Sequence, residues 1–205
     1  MLCYANTSQD TTIMEFTIYT LETAPEESKE ALHHAKETFG LIPNLEGICA
    51  LSPALLKGGM ALWDLFSTTS FSPLEQQVLY LAVNYENDCH YCMAAHSGLA
   101  KMVGLSTEDI NAMRNGEPLQ DPKLQALRHF TQRMVQTRGW VSDDEIETFM
   151  KAGYTKQQVL EVILGIAVKV IHNYTNHIAQ TPLDKAFERY AWSKPRVYED
   201  VNTSH

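Results

Sequence analysis

The sequence predicts an all-α protein of about seven or eight helices. Helix-start signals recur along the chain, and apolar residues return three and four positions apart. Strand-type alternation and hairpin signals are nearly absent.

Residues 1–22 are polar and aperiodic apart from Phe16-Thr17-Ile18-Tyr19, and are expected to form an arm. Thr23 precedes Pro25 and Glu26, a cap with a carboxylate placed to reach back. The helix through Leu32, Ala35 and Phe39 should stop at Gly40. Ser52-Pro53 opens another, which Gly58-Gly59 is expected to weaken or kink. Its Met60, Trp63, Leu65 and Phe66 read as core by default, with a pocket or interface lining as the alternative. Ser72-Pro73-Leu74-Glu75 is a capping box with proline at the first helical position. Ser106 with Asp109 starts a segment that ends at Asn115-Gly116. Asp121-Pro122 opens the run carrying Leu124, Leu127, Phe130 and Met134, one face of an amphipathic helix. Ser142 to Glu145 and Thr155 to Gln158 are further capping boxes, and Gly153 closes the helix between them. Residues 23–192 are expected to form the helical domain, and 193–205 a polar tail. An internal helix-pair repeat is suggested by an ungapped alignment of Gln76–His96 with Gln157–His177.

Composition narrows the function classes. At 205 residues the chain is one large domain or two small units, long enough to bury a core without disulfides. It is 44% hydrophobic and 20% charged, which argues against disorder. A formal charge of −9 disfavours general nucleic-acid or anionic-membrane binding. The first residues lack a basic, apolar leader, and the most apolar run, Val162 to Ile171, is short and carries Lys169. It reads as a buried helix, so no membrane span is expected. The four cysteines are too few for a secreted disulfide scaffold. Location in a reducing cytoplasm is expected, where a close cysteine pair is reactive or metal-binding more often than structural.

The close pair lies in Asn87-Asp88-Cys89-His90-Tyr91-Cys92-Met93-Ala94-Ala95-His96. Asn87-Asp88 breaks the preceding helix and Asp88 is a good cap for the next, which puts Cys89 in its first turn. Cys89, Cys92 and His96, spaced three and four apart, then share one face. A thiol at a helix N-terminus is biased towards the thiolate. An imidazole one turn on can take its proton, and a second thiol can close a disulfide on an oxidised first one. Cys92 is the candidate nucleophile towards a hydroperoxide, Cys89 the resolving thiol and His96 the base. The reversed assignment stays open, because Cys89 sits nearer the helix end. Two other readings compete: inert core thiols, or a zinc site completed by His172 or His177. Covalent haem attachment is excluded because Met93, not histidine, follows the second cysteine.

The stretches FGLIPNLEGICALSP, SPLEQQVLYLAVNYENDCHYCMAAHSGLAK and NYTNHIAQTPLDKAF resemble the carboxymuconolactone decarboxylase family in its alkylhydroperoxidase branch. The resemblance implies an AhpD-like helical bundle and a homo-oligomer, commonly a trimer or hexamer. It implies thiol-dependent reduction of hydroperoxides without a bound cofactor or metal. The electrons would come from a dithiol, lipoyl or thioredoxin-like partner protein. By motif match Cys89, Cys92 and His96 carry over onto the family's thiols and histidine.

Two positions depart from that pattern. The family's relay glutamate, twelve residues before the first cysteine, is here Gln77, an amide that cannot take a proton. Glu75 is expected to serve as the cap partner of Ser72, and Glu86 is either the substitute relay or an ordinary solvated carboxylate. Tyr91 stands where the better-known peroxidases carry a second histidine, with His90 adjacent. The altered relay implies that peroxidase activity could be weak. Lactone decarboxylation is the rival activity, and a redox or metal-binding oligomer the rival without catalysis. Elsewhere, His33, His34 and His129 read as surface residues, His177 as a packing residue or a visitor to the site, Cys49 as core filler and Cys3 as part of the arm.

Overall fold

The computed structural model describes residues 15–195. It is helical, with no strand among the described residues. Among the described residues nine α-helices are followed by a 3-10 turn of helix: α1 Glu26–Phe39, α2 Asn44–Cys49, α3 Pro53–Ser67, α4 Pro73–Glu86, α5 His90–Met102, α6 Thr107–Asn115, α7 Pro122–Gln136, α8 Asp143–Lys151 and α9 Lys156–Ala179, then Lys185–Tyr190. The short α2 and the 3-10 segment carry none of the start signals read above.

The start signals act as their chemistry dictates. Ser72, Ser142 and Thr155 each accept the backbone N–H three residues on, and Glu75, Glu145 and Gln158 each reach back to complete a capping box. Ser52, Ser106 and Asp121 cap α3, α6 and α7. Two details differ. Pro25, not Thr23, precedes α1, and Thr23 instead accepts the Thr20 N–H inside a turn. α3 also runs on through Gly58 and Gly59 to Ser67, because its own hydrogen bonds outweigh the cost of two glycines.

α4 is the central helix, packed against α5, α7 and α9. Val78, Leu79, Tyr80, Leu81, Ala82 and Val83 are all buried, the pattern of a helix surrounded on every side. α9 lies across it at close range. A Cβ on Gly165 would come 2.6 Å from Leu79 Cδ2 and 2.7 Å from Phe66 Cε2, so only glycine fits. Residues 16–22 lie on α2, where the Tyr19 N–H donates to Gly47 O at 3.1 Å.

The helix-pair repeat is not reproduced. Gln76–His96 is interrupted at Asn87–Cys89, where Asp88 adopts a left-handed φ of 52°, whereas Gln157–His177 lies within one unbroken helix. A single bend therefore sets the cysteine segment apart from its would-be copy.

Candidate active site

The bend sets the position of each thiol. Cys89 is the N-cap of α5, and its N–H is held by Asn84 O at 3.0 Å. The expected cap, Asp88, lies outside the helix with its carboxylate 3.2 Å from His90 Nε2. Cys92 is one turn in, and His96 follows four residues later on the same face. Both sulfurs are free and buried.

α9 closes over the thiols with polar side chains. Asn176 Nδ2 donates to Cys92 Sγ at 3.2 Å and reaches Cys89 Sγ at 3.8 Å. Asn173 Nδ2 donates to Asn84 Oδ1 at 3.0 Å and its Oδ1 accepts from Asn87 Nδ2 at 2.9 Å, which pins α9 to the end of α4. Lys169, only 1% exposed, places Nζ 2.9 Å from His96 Nε2.

These contacts separate the two thiols electrically. Burial opposes ionisation of Cys92. The Cys89 S–H donor, the Lys169 charge and hydrogen bond, and the Asn173 amide overcome it and bring Cys92 down to about 6. Cys89 moves the other way, because its proton is held by the Cys92 sulfur and because it too is buried. The reduced pair is thus a Cys92 thiolate accepting from a Cys89 thiol.

His96 takes a different place from the one expected. Its Nδ1–H donates to Gln77 Oε1 at 2.8 Å, and Nε2 faces the Lys169 ammonium. Burial, then the charge of Lys169, hold the imidazole neutral well below its usual titration range. Lys169, not His96, is the hydrogen-bonding and charged partner of Cys92. Lys169 therefore stands beside Cys92 where His96 was expected, and His96 Nε2 accepts its hydrogen bond.

Glu86 follows the second of its two readings, an ordinary carboxylate, and is held by α7. Its two oxygens accept from Gln132 Nε2 at 2.8 Å and Gln136 Nε2 at 2.9 Å, both on α7. The last turn of α4 points it away from the cysteines. A different carboxylate, on α2, lies at the cavity. Glu46 is buried and lines the same cavity as Cys92, His96 and Lys169, and its Oε2 has no hydrogen-bond partner. Burial raises Glu46 to about 8, its own backbone N–H opposing and the Cys92 charge reinforcing the shift. Neither Glu46 nor Lys169 was singled out from the sequence as a site residue. Each interrupts an apolar run, which was the available signal.

The cavity above Cys92 has a volume of about 380 Å³. Phe39, Trp63, Leu99, Phe187 and Tyr190 contribute its apolar walls. Asp184, ahead of the 3-10 helix, accepts from Tyr91 Oη and from Asn44 N, so α2, α5 and the C-terminal segment meet at one carboxylate. At the other end of that segment Arg114 donates to Tyr190 O at 2.9 Å and Ala191 O at 3.0 Å.

Other sequence candidates lie apart. His177 is exposed beside Tyr174, His129 is exposed, His33 pairs with Glu37 and His34 with Asp64. Cys49 is buried near Glu46 and burial pushes it up to about 12, while Cys3 lies outside the described residues. His172 is buried, and burial then Lys169 lower it to about 3. Among the described residues no group of three His, Cys, Asp or Glu side chains is arranged to hold a metal ion.

Comparison with known proteins agrees with this architecture. Residues 54–133 match the carboxymuconolactone decarboxylase family model. The fold resembles an alkylhydroperoxidase AhpD core, an uncharacterized peroxidase-related protein from Ralstonia eutropha JMP134, at 15% identity and a TM-score of 0.73, covering 85% of this chain and 94% of the other. It resembles an uncharacterized peroxidase-related protein from Silicibacter sp. TM1040 at 15% identity and 0.71, covering 87% and 95%. It also resembles the debrominase Bmp8 at 13% identity and 0.70, covering 89% and 97%. No curated protein matches the sequence. Residues 54–133 are thus similar to the carboxymuconolactone decarboxylase family, and the fold is like that of the AhpD-like structures.

Proposed function

We propose that the protein is a thiol-dependent hydroperoxide reductase. The observation that carries this reading is the buried pair of free thiols held by Asn176, with Cys92 on the wall of a cavity shared with Lys169 and His96 and biased towards the thiolate. Cys92 attacks the terminal peroxide oxygen and becomes a sulfenic acid. Cys89 displaces water from that sulfur to form the Cys89–Cys92 disulfide, and a dithiol, lipoyl or thioredoxin-like partner reduces the bridge. The reading assigns the activity to one helical domain over residues 23–192, with an arm at 1–22 and a tail at 193–205, working in a reducing cytoplasm. The exposed apolar face of α9, with Leu160, Ile163, Tyr174 and Ile178, supports a homo-oligomer, trimeric or hexameric. Sedimentation equilibrium tests that part, and a monomer at micromolar concentration would end it.

The activity is tested by following tert-butyl hydroperoxide consumption with a dithiol donor. Wild type consumes peroxide, Cys92→Ser does not, and Cys89→Ser stalls at a sulfenic acid that dimedone captures. Equal rates for wild type and Cys92→Ser discard the reading. Turnover of a muconolactone by the double cysteine variant would favour lactone decarboxylation instead.

A further inference from the structure

We infer that Glu46 is the general acid of this site, donating its carboxyl proton to the oxygen that leaves when Cys92 attacks the peroxide. The inference rests on the peroxidase reading above and adds to it the group that handles the leaving alkoxide. An alkoxide is a poor leaving group in a largely apolar pocket, so a proton donor on the cavity wall speeds its departure. Gln77 is an amide that cannot supply the proton, and its oxygen is already committed to His96 Nδ1. His96 offers no proton to the cavity, since its only N–H points at Gln77 and its other nitrogen accepts from Lys169. Lys169 is needed where it is, as the charge that holds the thiolate. Glu46 remains: 4% exposed, on the cavity wall, with Oε2 bonded to nothing.

Charge balance explains why the carboxyl keeps its proton. Lys169 is the buried cation of the site. Two buried anions, Cys92 and Glu46, cannot both be balanced by it, and the hydrogen bonds from Cys89, Asn173 and Asn176 go to the sulfur. The other groups facing Glu46 add no positive charge: Asp184 raises it, and Cys49 and Tyr91 hold their protons through burial. His172, across the cavity on α9, is neutral.

The step balances. The Cys92 sulfur supplies the electron pair for the new S–O bond as the O–O bond breaks. The departing RO⁻ takes the Glu46 proton and leaves as ROH, so Cys92 ends as a sulfenic acid and Glu46 as a carboxylate. In the next step the Cys89 proton leaves with the hydroxyl as water. When the external dithiol reduces the disulfide, one of its two protons returns to Cys89 and the other to Glu46.

The test uses two oxidants that differ in their leaving group, with Glu46→Gln in the full-length protein. tert-Butyl hydroperoxide releases a strongly basic alkoxide. Peracetic acid releases a carboxylate that needs no protonation. Stopped-flow oxidation of Cys92 by tert-butyl hydroperoxide should slow by about 100-fold or more in the variant, the scale of general acid catalysis. Oxidation by peracetic acid should change by no more than a few-fold, and iodoacetamide alkylation should show the thiolate intact. The wild-type rate with tert-butyl hydroperoxide should fall on the alkaline side of its pH profile, and the variant should lack that limb. An equal slowing with both oxidants, or no slowing with either, overturns the role of Glu46 while leaving the peroxidase reading standing. A wild-type protein whose Cys92 resists tert-butyl hydroperoxide overturns both.

Discussion

Replacing Lys169 with methionine removes the one buried positive charge beside Cys92 while keeping nearly the same side-chain length. Without it only the Cys89 S–H bond and the Asn173 amide oppose burial, and the thiol should rise from about 6 towards its ordinary 9.0. Three pKa units correspond to about 4 kcal/mol. An ion pair near 4 Å at an effective dielectric of 20 is worth about the same, so loss of one charge can produce a shift of that size. At pH 7 the thiolate share would fall from about 90% to about 1%. The remaining thiolate is the stronger nucleophile, by about 20-fold for a Brønsted slope near 0.45. The alkylation rate at pH 7 should therefore drop only about 4-fold, and the decisive reading is the midpoint of the pH profile. Iodoacetamide alkylation of Cys92 in a Cys49→Ala background, followed by intact-mass spectrometry from pH 5 to 10, measures it. A midpoint that stays near 6 in Lys169→Met refutes the role given to the ammonium; Lys169→Arg should restore part of the shift.

Three further outcomes follow from the same geometry. Gly165→Ala should lower the unfolding free energy by about 1–3 kcal/mol in urea melts, because its Cβ meets Leu79 and the immobile Phe66 ring. Gln77→Leu should cost about 1–3 kcal/mol by leaving the His96 Nδ1–H unpaired in the interior, with Gln77→Asn the milder change; equal stabilities for wild type and leucine variant would contradict the bond. Glu46→Gln should be stabilising in a pH-dependent way. The native carboxyl holds its proton up to about 8 while the unfolded one loses it near 4.5, so the folded wild type binds more protons between those values and loses stability as pH rises. The variant has no such loss, and its advantage should grow from pH 5 to 8 at up to about 1.4 kcal/mol per unit, then level off.

The helices were legible because their signals are local. Ser72 with Glu75, Ser142 with Glu145 and Thr155 with Gln158 each work within four residues, and the structure uses all three. The sharing of one face by Cys92 and His96 was readable for the same reason. The partners of those residues were not, because they depend on how distant helices pack. Glu46 reaches Cys92 across 46 residues of chain and Lys169 reaches His96 across 73. Glu86, close in sequence, was a natural choice, yet its position on the last turn of α4 directs it towards Gln132 and Gln136. Lys169 was noticed only as an interruption in an apolar run. A lone charge within such a run is a stronger pointer to a buried ionic site than proximity to the motif.

The short segment from Asp184 to Ala191 hangs from the bundle at two points, Tyr91 and Asn44 at one end and Arg114 at the other, and supplies Phe187 and Tyr190 to the space above Cys92. The reactive floor is built from α2, α5 and α9, whereas part of the ceiling is one strap of eight residues packed on α5. Selection can therefore refit the ceiling for a wider, narrower or greasier guest and leave the electrical wiring beneath it untouched. A scaffold divided this way is equipped to change clients faster than it changes chemistry.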